Sequence, residues 1–290
     1  MLAVGPKRPE GFPDVATLLQ SMALHDVIAL APRSRGFALR VRGPEAKGVP
    51  RGRANLARRA AEALARALGE TRGASIVLTK KVPHGAGLGG GSSDAAATLL
   101  GLLALWKRRL PAARLHALAA SLGSDVPFFL RGGTAIATGR GEILRSVRGP
   151  RNPMRLVVVV PEARVSTAWA YANHAIPKSR LTGFKRTVTL VQLRAVRLAR
   201  TQAKQLFFND LEEVVLRRVR AVAEARRRVL ASGAESALMS GSGSAVFGLI
   251  PHACAPRIIA ARLSRNFRKV YVARSVRAGS RPCRLSPAGR

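Results

Sequence analysis

Pro83-His84-Gly85-Ala86-Gly87-Leu88-Gly89-Gly90-Gly91-Ser92-Ser93-Asp94 is the stretch on which the reading of this chain turns. It follows Ser75-Ile76-Val77-Leu78-Thr79, a β-branched apolar run that reads as a strand. It precedes a helical pattern over 94–106, with Leu99, Leu102, Leu103 and Trp106 on one side. Glycines at 85, 87, 89, 90 and 91 let the backbone take positive φ and approach an anion closely, with successive N–H groups turned inward. The positive end of the following helix points at the same spot, and Ser92 and Ser93 add hydroxyl donors. A triphosphate is the guest such a loop expects.

Other readings of the same residues are weaker. Gly85, Gly87 and Gly90 satisfy Gly-x-Gly-x-x-Gly between a strand and a helix, but a dinucleotide fold wants an acidic residue about 20 positions on for the ribose. None occurs between Asp94 and Asp125. A Walker A loop needs Gly-Lys followed by Ser or Thr, and the loop has no lysine. A glycine turn without a ligand would carry the entropic cost of five glycines with no compensating use.

Working outward, 56–68 forms an amphipathic helix, with Leu56, Ala60, Leu64 and Leu68 four apart and Gly69 as its stop. Phe37 to Val41 reads as a strand, and 11–30 as a turn, a short helix or strand, and a strand from Val27. A helix follows Pro111 and ends near Gly123. Strands are expected at 134–138, 156–160, 245–250 and 270–274, and helices at 167–175, 188–203, 211–230 and 253–263. Strands alternating with helices in both halves argue for two α/β domains, divided near Gly149 to Pro153 into 1–150 and 151–278, with a tail over 279–290.

The composition is that of a globular chain: 47% apolar and 22% charged over 290 residues. No apolar run has the length of a membrane span, Met1 to Pro6 lacks a secretory leader pattern, and Cys254 and Cys283 do not group with histidines into metal-ligand spacing. A cytoplasmic protein without a structural metal or membrane partner is expected. The formal net charge of +35 is nearly all arginine, spread from Arg8 to Arg290. No zinc-finger or aromatic-basic RNA-binding pattern accompanies it, so no specific nucleic-acid partner is expected, while weak salt-sensitive polyanion binding is.

The loop resembles the second motif of the GHMP kinases, the family of galactokinase and of homoserine, mevalonate and phosphomevalonate kinases. Further segments agree in order: Leu122-Gly123-Ser124-Asp125-Val126-Pro127-Phe128-Phe129, Asn209-Asp210-Leu211-Glu212 and Met239-Ser240-Gly241-Ser242-Gly243-Ser244. In detail the match is to the branch that phosphorylates a cytidyl-diphosphate sugar alcohol in non-mevalonate isoprenoid synthesis. The resemblance implies an α/β (α+β) two-domain fold, with an N-terminal domain like domain 2 of ribosomal protein S5 and a ferredoxin-like C-terminal domain. It implies ATP and Mg2+ as cofactors, transfer of the γ-phosphate to a 2-hydroxyl, and a monomer or weak homodimer.

By the same resemblance, Asp125 takes the role of the catalytic carboxylate. Asn55, Lys80, Pro83, Gly85, Gly87, Gly89, Gly90, Gly91, Ser92 and Ser93 hold the nucleotide. Phe12, Tyr171, Gly241 and Ser242 meet the substrate, Tyr171 by stacking on cytosine. Read from the residues alone, alternatives stay open: Asp125 as a helix or turn cap, Tyr171 as a partly buried aromatic, Lys80 as a solvent-facing side chain, and Ser242 as part of an ordinary glycine turn.

The first segment departs from the family pattern. Val4 to Phe12 is similar to the segment after the family's first, lysine-asparagine strand, so Lys7 and Arg8 align with a later basic pair. Phe12 and Pro13 stand where the family has Tyr-His, and Leu19 where it has another aromatic residue. Without a strand matching that first motif, a sheet edge is expected to be unpaired. The departures also imply a chain that binds nucleotide with little turnover, or a related kinase with an altered substrate.

Overall fold

The computed structural model describes residues 1–9, 11, 13–175, 188 and 207–278. The expectations for Phe12, for the tail from 279, and for all but the first residue of the helix over 188–203 lie outside the described residues. The described chain runs β1 (Leu2–Lys7), β2 (Pro13–Gln20), β3 (Val27–Arg33), β4 (Phe37–Arg42), α1 (Leu56–Leu68), β5 (Gly73–Thr79), α2 (Gly90–Leu105), α3 (Ala112–Leu122) and α4 (Val126–Arg131). It continues through β6 (Thr134–Thr138), β7 (Ile143–Ser146), β8 (Arg155–Val159), α5 (Thr167–Asn173), α6 (Asp210–Arg218), α7 (Arg220–Ala231), β9 (Ser236–Met239), β10 (Val246–Leu249), α8 (Pro256–Ser264) and β11 (Val270–Arg274). The architecture is two-domain α/β. Packing divides the chain into two units, one of residues 1–24, 85–88 and 133–278, the other of residues 25–84 and 89–132. The division expected near residue 150 concerns family domains and is a separate proposal.

In the second unit, β3, β5 and β4 form a sheet in that order, with β3 antiparallel and β4 parallel to β5. The alternation Phe37, Leu39, Val41 turns one face of β4 inward and leaves Ala38, Arg40 and Arg42 outside. α1 begins where Asn55 caps it, its Oδ1 accepting from Ala57 N at 2.9 Å, and ends at Gly69 with φ 61°. Leu64, Leu99 and Leu102 are fully buried where α1 and α2 meet the sheet. Each such leucine contributes roughly 1.5–3 kcal/mol by leaving water.

In the first unit, β1, β2, β6 and β7 form one antiparallel sheet and β11, β8, β10 and β9 another. β8 explains its unbroken apolar run. Val157 and Val159 enter one cluster with Leu211, Val215 and Ile259, and Val158 enters another with Ala86 and Ala245. A strand buried on both faces has no polar alternation.

Several expectations change. α2 begins at Gly90 and not at Asp94, so the second half of the glycine-serine stretch is already helical. The single helix expected over 211–230 is two, broken at Val219, whose φ of −114° and ψ of 86° leave the helical region. α4, β7 and β9 carry too few residues for a period to show, and 13–20 is wholly strand. The outer edge of β1 is not left open. Leu2 N donates to Phe208 O at 2.9 Å and Val4 N to Asp210 Oδ2 at 2.8 Å, so a segment distant in sequence takes up the edge donors.

Candidate functional site

Positive φ at Gly85 (70°), Gly87 (74°) and Gly89 (69°) steers the chain from β5 into α2. Gly89 is the N-cap of α2 and no side chain caps the helix, which leaves its first N–H groups to other partners. Ser93 Oγ donates to Gly90 O at 2.8 Å, while the half-buried Ser92 hydroxyl makes no hydrogen bond among the described residues. The glycines have separate reasons. A Cβ on Gly85 would meet nothing within 4 Å, whereas one on Gly87 would lie 2.3 Å from Ser240 O and one on Gly89 2.7 Å from the Phe129 ring. On Gly90 it would lie 3.0 Å from Val82 and 3.3 Å from Lys80 Nζ. Gly91 approaches only Leu56, at an ordinary 3.4 Å, and Pro83 is buried at the start of the loop.

Lys80 does not face solvent: its side chain is 2% exposed, hydrogen-bonded to Asp26 Oδ2 and, at 2.8 Å, to Asp94 Oδ2 on α2. Asp26 Oδ1 also accepts from Lys81 N at 2.5 Å and Val82 N at 2.9 Å. Burial pushes the Asp94 carboxyl up to about 7, with the neighbouring Asp26 adding to the rise and Lys80 opposing it. Sequence reasoning missed Asp26 altogether, because no local pattern ties residue 26 to residues 80 and 94. Asn55 is buried, and both ends of its amide are engaged, by Ala57 N and by Pro50 O at 2.7 Å. The bond from Ala57 N starts α1.

Asp125 precedes α4 but makes no capping hydrogen bond, which removes the cap reading. Its residue surface reaches solvent, yet desolvation raises its carboxyl above the usual aspartate range. The two coexist because a carboxylate can touch water on one side and be walled by protein on the others. Pro127 and Phe128, both buried, hold the following turn rigidly.

In the other unit, the second glycine stretch follows β9. Asn209 Nδ2 donates to Met239 O at 2.9 Å and to Gly241 O at 2.7 Å, while Asn209 Oδ1 caps α6 at Leu211 N. Glu212 Oε1 accepts from Met239 N and forms an ion pair with Arg226. Ser240 Oγ donates to Gly87 O at 2.8 Å, and Ser242 Oγ lies 2.8 Å from Thr167 Oγ1. Tyr171 on α5 is half-buried against the large apolar cluster of this unit. The Asn-Asp-Leu-Glu element is thus a junction: Asn209 and Glu212 hold the second stretch, and Asp210 holds β1.

Two family models match the chain, that of the GHMP kinases N terminal domain over residues 55–133 and that of the GHMP kinases C terminal over residues 190–269. A protein of Synechococcus sp. (strain JA-2-3B'a(2-13)) named 4-diphosphocytidyl-2-C-methyl-D-erythritol kinase is 38% identical over 294 residues, covering 97% of this chain and 93% of that protein. Proteins of the same name from Synechococcus sp. (strain JA-3-3Ab) and Pelotomaculum thermopropionicum are 46% and 48% identical over 164 and 166 residues. Those matches cover 57% of this chain and span about half the length of the two relatives, 52% and 56%. A crystal structure of 4-(cytidine 5'-diphospho)-2C-methyl-D-erythritol kinase matches with a TM-score of 0.75 at 36% identity, covering 94% of each chain. The homoserine kinase of Cytophaga hutchinsonii, 20% identical with a TM-score of 0.63 over 96% of this chain and 89% of its own, shares the fold.

Proposed function

We propose an activity for this chain from one premise: it belongs to the GHMP kinase family. It transfers the γ-phosphoryl group of ATP to the 2-hydroxyl of 4-diphosphocytidyl-2-C-methyl-D-erythritol, within non-mevalonate isoprenoid synthesis in the cytoplasm. A relative matched along 93% of its length bears the name of that kinase, which supports the substrate.

The observation that carries the phosphate reading is the uncapped start of α2, with a Ser92 hydroxyl that makes no hydrogen bond among the described residues and open space at Gly85. Helix N–H donors and such a hydroxyl suit an anion. Residues Pro83 to Ser93 hold the nucleotide, which supplies the phosphoryl group. Mg2+ would arrive on the phosphates of ATP, as is common for this ion. Asp125 orients the acceptor hydroxyl and accepts its proton. A carboxyl raised toward neutrality is a stronger base than an ordinary aspartate. Tyr171, Gly241 and Ser242 attend the cytidyl substrate.

Asp125→Asn tests the assignment. Its kcat is expected to fall by about 10²–10⁴, the usual range for a lost general base, while calorimetric ATP affinity stays. Near-normal kcat would move the role to another group.

A further inference from the structure

The Asp26–Lys80–Asp94 cluster has no part in the chemistry above, yet it lies directly behind the turn on which that chemistry depends. The three side chains are 3%, 2% and 5% exposed, and Lys80 Nζ stands 3.3 Å from where a Cβ on Gly90, the first residue of α2, would sit. The cluster ties three separate segments. Asp26 stands just before β3, Lys80 just after β5, and Asp94 in the second turn of α2. Asp26 further fixes the backbone at Lys81 and Val82, where the glycine loop starts. Buried ion clusters rarely outdo well-packed apolar residues in stability, so what they add is direction. A leucine trio could fill this space but would let α2 slide or rotate against β5, whereas two hydrogen-bonded carboxylates on one ammonium hold a single setting.

We propose that Lys80 is a positioning residue: clamped by Asp26 and Asp94, its side chain locks the first turn of α2 against the end of β5 in the setting that receives nucleotide phosphates, and does not itself reach the nucleotide. The inference rests on α2 being the phosphate seat. His25, Arg42, Glu45, Lys81 and His84 are other titratable or charged groups on the flanking segments; Asp125 stands before α4 and Arg131 ends it, and α3, which carries Arg114 and His116, also packs on α2. On α1, also packed on α2, Arg58 and Glu62 pair with each other at 2.9 Å.

The test is calorimetric affinity for magnesium ATP between about pH 6 and pH 8, which spans the range where a perturbed buried carboxyl titrates. Three proteins are compared: the unaltered chain, Lys80→Met, and Lys80→Met combined with Asp94→Asn. Lys80→Met leaves two buried carboxylates facing each other, so affinity is expected to fall about tenfold or more at pH 8 and to recover toward pH 6 as one is protonated. The double variant, with that repulsion removed, is expected to recover at pH 8. A side chain that touched the nucleotide would instead give a loss independent of pH that Asp94→Asn does not relieve, and that result overturns the proposal. Should Lys80→Met not fold, Asp94→Leu decides. It leaves Lys80 in place but frees α2, so amide exchange at 90–93 should quicken and ATP affinity fall, and unchanged values of both overturn the proposal. No ATP binding by the unaltered chain would overturn the phosphate reading of α2 and this inference together, whereas a pH-independent loss overturns this inference alone.

Discussion

The two glycine-serine stretches of this chain are alike in composition and opposite in build. Pro83 to Asp94 runs into a helix that no side chain caps, has one hydroxyl, that of Ser92, with no partner among the described residues, and leaves open space at Gly85. Met239 to Ser244 is gripped by the protein: Asn209 holds Met239 O and Gly241 O, Ser240 bonds Gly87 O, and a Cβ on Gly243 would strike Met239 Sδ at 2.8 Å. Glycine density therefore has two causes here, room for a ligand and close approach of backbone to backbone. Gly87 belongs with the second cause although it lies in the first stretch.

The comparison can be broken most sharply at Gly87. Gly87→Ala must hold an L-residue at a φ of 74° and place a carbon 2.3 Å from Ser240 O, so a loss of about 3 kcal/mol or more in stability is expected. Urea unfolding measures it, and a stable variant would mean that the 240–244 turn yields freely. Asn209→Ala comes next, since it removes a helix cap and leaves two carbonyls short of a donor. About 2–3 kcal/mol is expected by the same method. Gly85→Ala has the backbone strain without the collision, so only about 1 kcal/mol is expected. A loss equal to that of Gly87→Ala would erase the distinction between the stretches.

The smallest effect is the most diagnostic of function. Ser92→Ala is expected to weaken ATP binding by about 1 kcal/mol, the usual net value of one hydrogen bond, with stability unmoved. Ser242→Ala should leave ATP affinity as it was, because its hydroxyl is engaged by Thr167. Equal effects of the two on ATP binding would mean that the stretches share the ligand. The acid limb of kcat offers a check on Asp125. Since its carboxyl is raised and the base must be ionised, rate is lost as pH falls through a pKa above the ordinary aspartate range, and Asp125→Asn should abolish that limb.

Much of the chain was legible because its signals are local. Strands β6 and β11 fall on the residues where β-branched runs placed them, and α1 stops at Gly69 because only a left-handed residue turns the chain there. Elements of few residues, such as β7 and β9, escaped because a period needs repeats to be seen. The break at Val219 escaped because no glycine or proline marks it and arginines run on from the end of one helix into the start of the next.

By itself the sequence determined the α/β class, the phosphate-type loop and the kinase resemblance, since each rests on residue types at short fixed spacing. Tertiary structure alone decided what the polar side chains are for. Lys80 reads as a surface lysine until Asp26, 54 positions away, and Asp94 close around it. Asp125 reads as a cap until its carboxylate is seen to bond no helix N–H. Asn209 reads as one member of a four-residue element until its amide is found between two carbonyls 30 and 32 residues on. The physical reason is common to all three. A hydrogen-bonding group takes its role from whichever partners folding brings within about 3 Å, and sequence spacing constrains those partners only inside a single element.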